Sequence, residues 1–442
     1  MATIRGRLRR AFGAATASGP EVASDSAPAP ATQVDAAWIL VDGSLCIDGW
    51  LADDVPGGPV DVRLIGSENG TWRPLLRKAR PDVAEVLGLR APDGSVAYGF
   101  VGHVDGSVEP GRPVTIEFRV GEATWEWRVS ALADGVVPES VFSGLVLGAK
   151  ALTPTGLAPI VDVIRQAPRP PAPQHRVVYE AFVGGPVPWL SVVVPLYGDF
   201  EYLRNLLLAI STDPVVGVEL VLVSDDPALT PRLLAWLESW NDATFLLPLR
   251  LLAHDRNAGF AAACNTGWSA ARGEKILLLN SDVLTNRPDT DLRTMAECLD
   301  DGCAAVAPVL LYPDGTVQHA GMLVEGSVDF PGFELPAHPG KHELPRDLGS
   351  APRGVEMLSG AVLMTTATAL KAVGGVPVVF GKGDFEDVLL SVSLREHGAL
   401  VVHPGVVWTH VEGASYRRED HGGVPVTLAK SVVIGEQLGA AG

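Results

Sequence analysis

What this chain lacks narrows it first. It has no apolar run long enough to span a bilayer, although 47% of its 442 residues are hydrophobic. Basic residues are scarce. With 34 Lys and Arg against 52 Asp and Glu the net charge is −18, which argues against a nucleic-acid partner, since that would demand a broad basic face. The four cysteines, Cys46, Cys264, Cys298 and Cys303, show no metal-ligand spacing and read as reduced thiols. Nothing after the basic start forms the apolar segment of a secretory signal. The expected location is therefore cytoplasmic, or peripheral on the inner face of a membrane. A GxGxxG loop and a GxxxxGK[ST] loop are both missing, which excludes an ordinary dinucleotide fold and a P-loop.

What is there begins with Lys275-Ile276-Leu277-Leu278-Leu279, followed by Asn280-Ser281-Asp282. Four large aliphatic residues in a row suit a strand covered on both faces. Ligands of open α/β sheets bind beyond the carboxyl ends of the strands, where an acid can hold a hard cation and the cation a diphosphate. The alternative is a turn built from ordinary turn formers. The pattern recurs at Ser191–Val194 before Pro195-Leu196-Tyr197, and at Glu219–Val223 before Ser224-Asp225-Asp226. Helical patterns at Tyr202–Ile210, Pro231–Trp240 and Ala258–Ala271 separate the runs, so a mostly parallel, nucleotide-binding sheet is expected.

Five parts are expected along the chain. Residues 1–35 form a tail whose Arg5, Arg7, Arg9 and Arg10, with Ile4, Leu8 and Phe12, can rest on an anionic membrane or simply solubilise the chain. Residues 36–133 read as a small all-β sandwich, from alternating runs such as Val60–Leu64 and Val114–Val120 and the turns between them. Its Trp50, Trp72, Trp125 and Trp127 read as core rings, with sugar stacking as the alternative. Residues 134–188 form a helical connector with a Pro-rich spacer, 189–425 the α/β domain, and 426–442 a C-terminal tail.

Seven short motifs then carry a resemblance. Val192–Tyr197, Val223–Asp226, Arg256–Gly267, Leu279–Asp282, Asp314–Gly321, Phe385–Val388 and His410–Ser415 occur in the order seen in family 2 glycosyltransferases. The chain resembles that family from about Trp189 to Arg418, and its Gln318-His319-Ala320-Gly321 is similar to the rhamnosyltransferase-like bacterial branch. The resemblance implies a GT-A fold and an inverting, metal-dependent transfer of a sugar. The donor would be a nucleoside-diphosphate sugar, and the acceptor a hydroxyl of a glycan or lipid-linked glycan in bacterial surface polysaccharide synthesis. The alternative is a catalytically degenerate domain serving as a carbohydrate-binding scaffold, kept open by Ser224, Asn280 and Leu389, which depart from the family pattern. Nucleotidyl transfer is disfavoured, because Pro195-Leu196-Tyr197-Gly198 is not a Gly-rich basic loop.

Residue by residue, the resemblance assigns Asp387, beside Glu386, as catalytic general base; a first-turn acid complementing the helix dipole is the alternative. Asp282 and His410 are implied ligands of Mn2+ or Mg2+, with His410 otherwise a structural histidine after a strand. Donor binding is implied for Pro195, Tyr197, Asp225 or Asp226, Arg256, Asn257, Gly259, Ser281, His319 and Gly360. Arg256 and the helix N-terminus beside it would receive the diphosphate. Asp225 can equally be a turn or cap residue, and His319 and Gly360 can equally belong to a tight hairpin. Asn265 is expected to hydrogen-bond inside the fold.

Overall fold

The computed structural model describes residues 30–52, 58–67, 70–87, 97–129, 132–133, 137–145, 152–212, 215–239, 247–345, 349–381, 383–411 and 424–440. The chain divides into two compact units. One comprises residues 1–169, 327–333 and 418–442, the other 170–326 and 334–417. The basic start at residues 1–12 and the Glu412–Ser415 end of the last motif lie outside the described residues.

The first unit is built on seven antiparallel strands: β1 (Ala31–Ile39), β2 (Leu45–Ala52), β3 (Val60–Leu64), β4 (Arg73–Lys78), β5 (Gly99–Val104), β6 (Val114–Val120) and β7 (Ala123–Val129). They pair in the single order β1-β2-β5-β4-β3-β6-β7. β4 is shared: Arg73 to Leu75 pair with β3, and Leu76 to Lys78 pair with β5. Alternate residues of β3 are buried, the period-2 signature of a strand with one face on a core. Phe118 and Trp125 stack in that core, centroids 5.7 Å apart. Trp50, Trp125 and Trp127 are buried as expected, whereas Trp72 is half-buried with the Arg63 and Arg119 guanidinium carbons 4.6 and 4.3 Å from its ring.

Helices α1 (Pro81–Leu87), α2 (Ala158–Gln166) and the C-terminal helix Val424–Ala440 complete this unit. The last corrects an expectation, since 426–442 was read as a tail. Val426, Leu428, Ala429, Val433 and Ile434 are buried, which requires a helix packed on a partner rather than a solvated end. That partner is α2, and Arg165 of α2 reaches Glu436 at 2.6 Å. β1 likewise begins at Ala31, inside the stretch 1–35 expected to be a tail.

In the second unit the strands are β8 (His175–Ala181), β9 (Leu190–Leu196), β10 (Val218–Ser224), β11 (Leu249–His254), β12 (Lys275–Leu279), β13 (Val283–Leu284), β14 (Ala305–Leu311), β15 (Val317–His319), β16 (Leu323–Gly326), β17 (Glu334–Ala337), β18 (Arg353–Val355), β19 (Val362–Thr366) and β20 (Leu400–His410). The main path runs β13-β20-β14-β19-β12-β9-β10-β11-β8. β12, β9, β10 and β11 are parallel neighbours, as are β14 and β20, while β19 lies antiparallel between the two groups. The sheet is therefore mixed. β8 falls within the stretch 134–188 expected to be a connector; it is an edge strand whose largely exposed residues give no strand-like alternation.

Between these strands lie α3 (Glu201–Thr212), α4 (Thr230–Ser239), α5 (Phe260–Ala270), α6 (Pro288–Asp300), α7 (Ala367–Ala372) and α8 (Glu386–Arg395); the C-terminal helix is α9. The register aligns the strand ends. Ser224 pairs with both Leu196 and Ala253, Leu279 pairs with Val362, and Leu311 pairs with Thr409. The segments following β9, β10, β11, β12 and β14, the last residue of β20 and the start of β19 thus share one rim.

Candidate active site

At the β10 end of the rim, Asp225 is buried and occupied. Its Oδ1 accepts from Ala258 N–H and its Oδ2 from Gly259 N–H, both at 2.8 Å, and His254 Nδ1 lies 2.7 Å from Oδ1. His254 Nε2 continues to Thr266 Oγ1 at 2.8 Å. The carboxylate therefore stitches β10 to the turn that starts α5. That turn needs Gly259, whose φ of 92° is a left-handed conformation that other residues adopt at a cost. Asn257 also caps Gly259 N–H through Oδ1, at 3.1 Å. The Arg256 guanidinium bonds the Pro171 carbonyl at 2.5 Å and Asp255 at 3.3 Å. Asp226 is half-buried, with Oδ1 accepting Ala228 N–H, and Pro195, near the end of β9, pairs with Val223 on the neighbouring strand. Asn265 hydrogen-bonds within the fold, to the backbone of Val376 and to Trp268 Nε1.

In the middle of the rim, Ser281 and Asp282 are buried, and Val283 pairs with His410. Asp282 Oδ1 lies 3.1 Å from His410 Nε2, and His410 Nδ1 lies 2.8 Å from Gln318 Oε1. An amide oxygen only accepts, so Nδ1 carries a proton, and it is Nε2 that faces the carboxylate. A shared proton or a cation holds such a pair together. With Nε2 deprotonated, the carboxylate and the imidazole are a donor set that suits a hard divalent cation, whose remaining positions substrate oxygens would fill. Among the described residues no cluster of three His, Cys, Asp or Glu exists that would hold a cation alone.

The third part rests on α8. Asp387 Oδ2 accepts from Gly360 N–H at 2.9 Å, and Oδ1 accepts from its own neighbour Val388 N–H. A Cβ added at Gly360 would stand 3.2 Å from Asp387 Cβ and 3.4 Å from the Phe260 ring, so the glycine permits the close approach. Burial pushes the Asp387 carboxyl above its ordinary value, opposed by those two amides. Asp384 and Phe385, with φ of 78° and 64°, hold left-handed backbone immediately before α8, a conformation that costs free energy and aims the helix start. One turn on, Ser391 Oγ accepts from Leu358 N–H at 3.0 Å and donates to its carbonyl at 3.3 Å. His319 is buried, its Nε2 accepting Ser359 N–H at 3.4 Å and its Nδ1 3.2 Å from His338 Nδ1. Burial, then the basic neighbours His338, Arg353, His410 and Lys341, hold it well below the ordinary imidazole range.

The parts connect through the backbone. Asn280 N–H donates to the Ala361 carbonyl at 2.8 Å, which ties the Asp282 turn to the Gly360 segment. Asp282, His410, Gly360 and Asp387 thus gather on adjoining segments, with Asp225 and Phe260 linking in through α5. Arg256 stands apart in its bonding, and Leu389 is buried in the core, away from acid chemistry. His254, Thr266, Gln318, His338 and Ser391 were not anticipated. Two of them had a signal: Gln318 in its place in the Gln-His-Ala-Gly motif, and Thr266 within the Arg256–Gly267 motif.

Residues 191–337 match the family described as Glycosyl transferase family 2. The O-antigen biosynthesis protein RfbC of Myxococcus xanthus is 34% identical over 175 residues, covering 38% of this chain and 13% of that one. The succinoglycan biosynthesis protein ExoO of Rhizobium meliloti is 37% identical over 122 residues, covering 27% of this chain and 32% of its own. The chain thus spans a third or less of the length of these two relatives. Among solved structures, the mannosyltransferase PcManGT from Pyrobaculum calidifontis, in complex with GDP-Man and Mn2+, is similar over 62% of this chain and 69% of that one, at 18% identity and a TM-score of 0.37. The motif order along the chain and the matched segment agree: this chain carries a glycosyl transferase family 2 domain.

Proposed function

We propose that the second unit is an inverting glycosyltransferase of GT-A type that moves a sugar from a nucleoside-diphosphate sugar to a hydroxyl of a glycan or lipid-linked glycan, in polysaccharide synthesis. The observation that supports this is the backbone tie between the turn that bears Asp282 and the segment whose Gly360 holds Asp387. The names of the two relatives, from O-antigen and succinoglycan biosynthesis, support the polysaccharide setting.

Asp387 takes the proton of the acceptor hydroxyl as the oxygen attacks the anomeric carbon; a raised carboxyl is better suited to that task than an ordinary one. Asp282 and His410 would hold Mn2+ or Mg2+, which when bound neutralises charge on the departing diphosphate. Asp226, rather than the fully engaged Asp225, accepts a hydrogen bond from the nucleobase, and Tyr197 and Pro195 flank it. Gly259, Asn257, Ser281, His319 and Gly360 shape the donor side through the backbone they hold, and Glu386 borders the base. One displacement inverts the anomeric centre.

Screening sugar nucleotides for Mn2+-dependent thermal stabilisation tests this directly. A true donor at a hundred times its Kd adds about 2.7 kcal/mol of stability. Chelator, or Asp282→Ala, should abolish the gain. Equal stabilisation with and without chelator would remove the metal from the reading, and no transfer from any donor would leave the scaffold alternative.

A further inference from the structure

Two consecutive residues of β15 serve different halves of the site. Gln318 and His319 are both buried, at 5% and 1% exposure, in a three-residue strand that pairs antiparallel with β14. Successive strand residues point to opposite sides, so they face different neighbours. Gln318 Oε1 accepts the His410 Nδ1 proton, which leaves Nε2 as the nitrogen aimed at Asp282. His319 Nε2 accepts Ser359 N–H, one residue before the Gly360 N–H that holds Asp387. Because His319 Nε2 accepts, its Nδ1 carries the proton and donates to His338 Nδ1, which fixes the ring from its other side.

We infer that β15 is the positioning strand of the site: Gln318 sets the tautomer of His410 for the cation, and His319, braced by His338, sets the Ser359–Gly360 backbone that holds Asp387. Neither residue touches the reacting atoms. The inference rests on the transferase reading given above, and it assigns separable consequences to adjacent side chains. A ligating imidazole whose second nitrogen loses its partner loses both orientation and basicity. A base whose backbone donor shifts loses alignment with the acceptor hydroxyl.

The test is a double dissociation on the full chain. Gln318→Leu should weaken Mn2+ binding about tenfold, measured calorimetrically with nucleoside diphosphate present, while turnover at saturating Mn2+ stays near wild type. Gln318→Glu, which still accepts from Nδ1–H, should restore the affinity. His319→Leu should lower turnover about tenfold at unchanged Mn2+ affinity, with His319→Gln recovering most of it. Both effects moving together in both leucine variants would mean a merely structural strand and would overturn the inference, as would no effect in either. If the wild-type chain bound no donor at all, the transferase reading would fail. Nitrogen NMR of His410 and amide exchange at Gly360 would still decide this inference. Loss of the Nδ1-protonated tautomer in Gln318→Leu alone, and faster Gly360 exchange in His319→Leu alone, would uphold it; any other pattern would sink it.

Discussion

At the scale of single residues, the two carboxylates that end β10 do different work. Asp225 accepts from two backbone amides and faces His254, so Asp225→Ala strands buried donors. A loss of about 2–4 kcal/mol in urea unfolding is expected. Asp226→Ala, which loses only the bond from Ala228 N–H, should cost less stability and weaken nucleotide binding; equal stability losses in both would contradict the division. Asp387 combines a cost and a use. Between the ordinary carboxylate range and its raised value, the folded chain holds a proton the unfolded chain has shed, so stability falls as pH rises through that window. Asp387→Asn removes that loss. The variant gives up one acceptor, because an amide offers a single oxygen to the Gly360 and Val388 N–H groups, but its melting should lose that pH dependence while it turns over roughly 10²–10⁴-fold more slowly. A variant that melts with the wild-type pH dependence and keeps its turnover would argue that Asp387 is a cap and not a base.

At the scale of elements, α8 carries two attachments to one segment: Asp387 holds Gly360 and, a turn later, Ser391 holds Leu358 at both its amide and its carbonyl. Ser391→Ala should cost about 1–2 kcal/mol and lower kcat more than donor KM, because the loosened segment carries the base's backbone partner. A change confined to KM would place the segment in donor binding instead. The same element explains the left-handed pair Asp384–Phe385, since a helix start must turn sharply to face a strand end. α5 gives the complementary case. Its first turn is set by Gly259 and Asp225 together, so what read as a phosphate-binding helix start is first of all a brace between two elements.

At the scale of the whole molecule, each unit buries a histidine that resists protonation: His103 in the first and His319 in the second, both lowered chiefly by burial. Below their ordinary value of 6.5 the unfolded chain takes up protons that these rings refuse, so stability falls as pH drops through that point. Melting curves between pH 7.5 and pH 5 should show the decline, and replacing His319 with Gln should flatten the second unit's share of it. No helix among the described residues is long and apolar enough to cross a membrane.

How much of this could be read from the residues alone follows from the range of the forces involved. Runs of large aliphatic residues have few homes other than a buried strand, so β9, β10 and β12 and their polar ends were legible, as were the alternating strands of the first unit and the family motifs. Local chemistry leaves local traces. The pairings that make the site do not: His410 meets Gln318 across 92 positions and Asp282 across 128. Which acid braces the sheet, where Arg256 spends its charge, and why 426–442 is a buried helix were likewise settled by neighbours remote in sequence. Hydrogen bonds and burial between distant segments exist only once the chain has closed on itself, and that closure, not any motif, decided which of the candidate residues face one another.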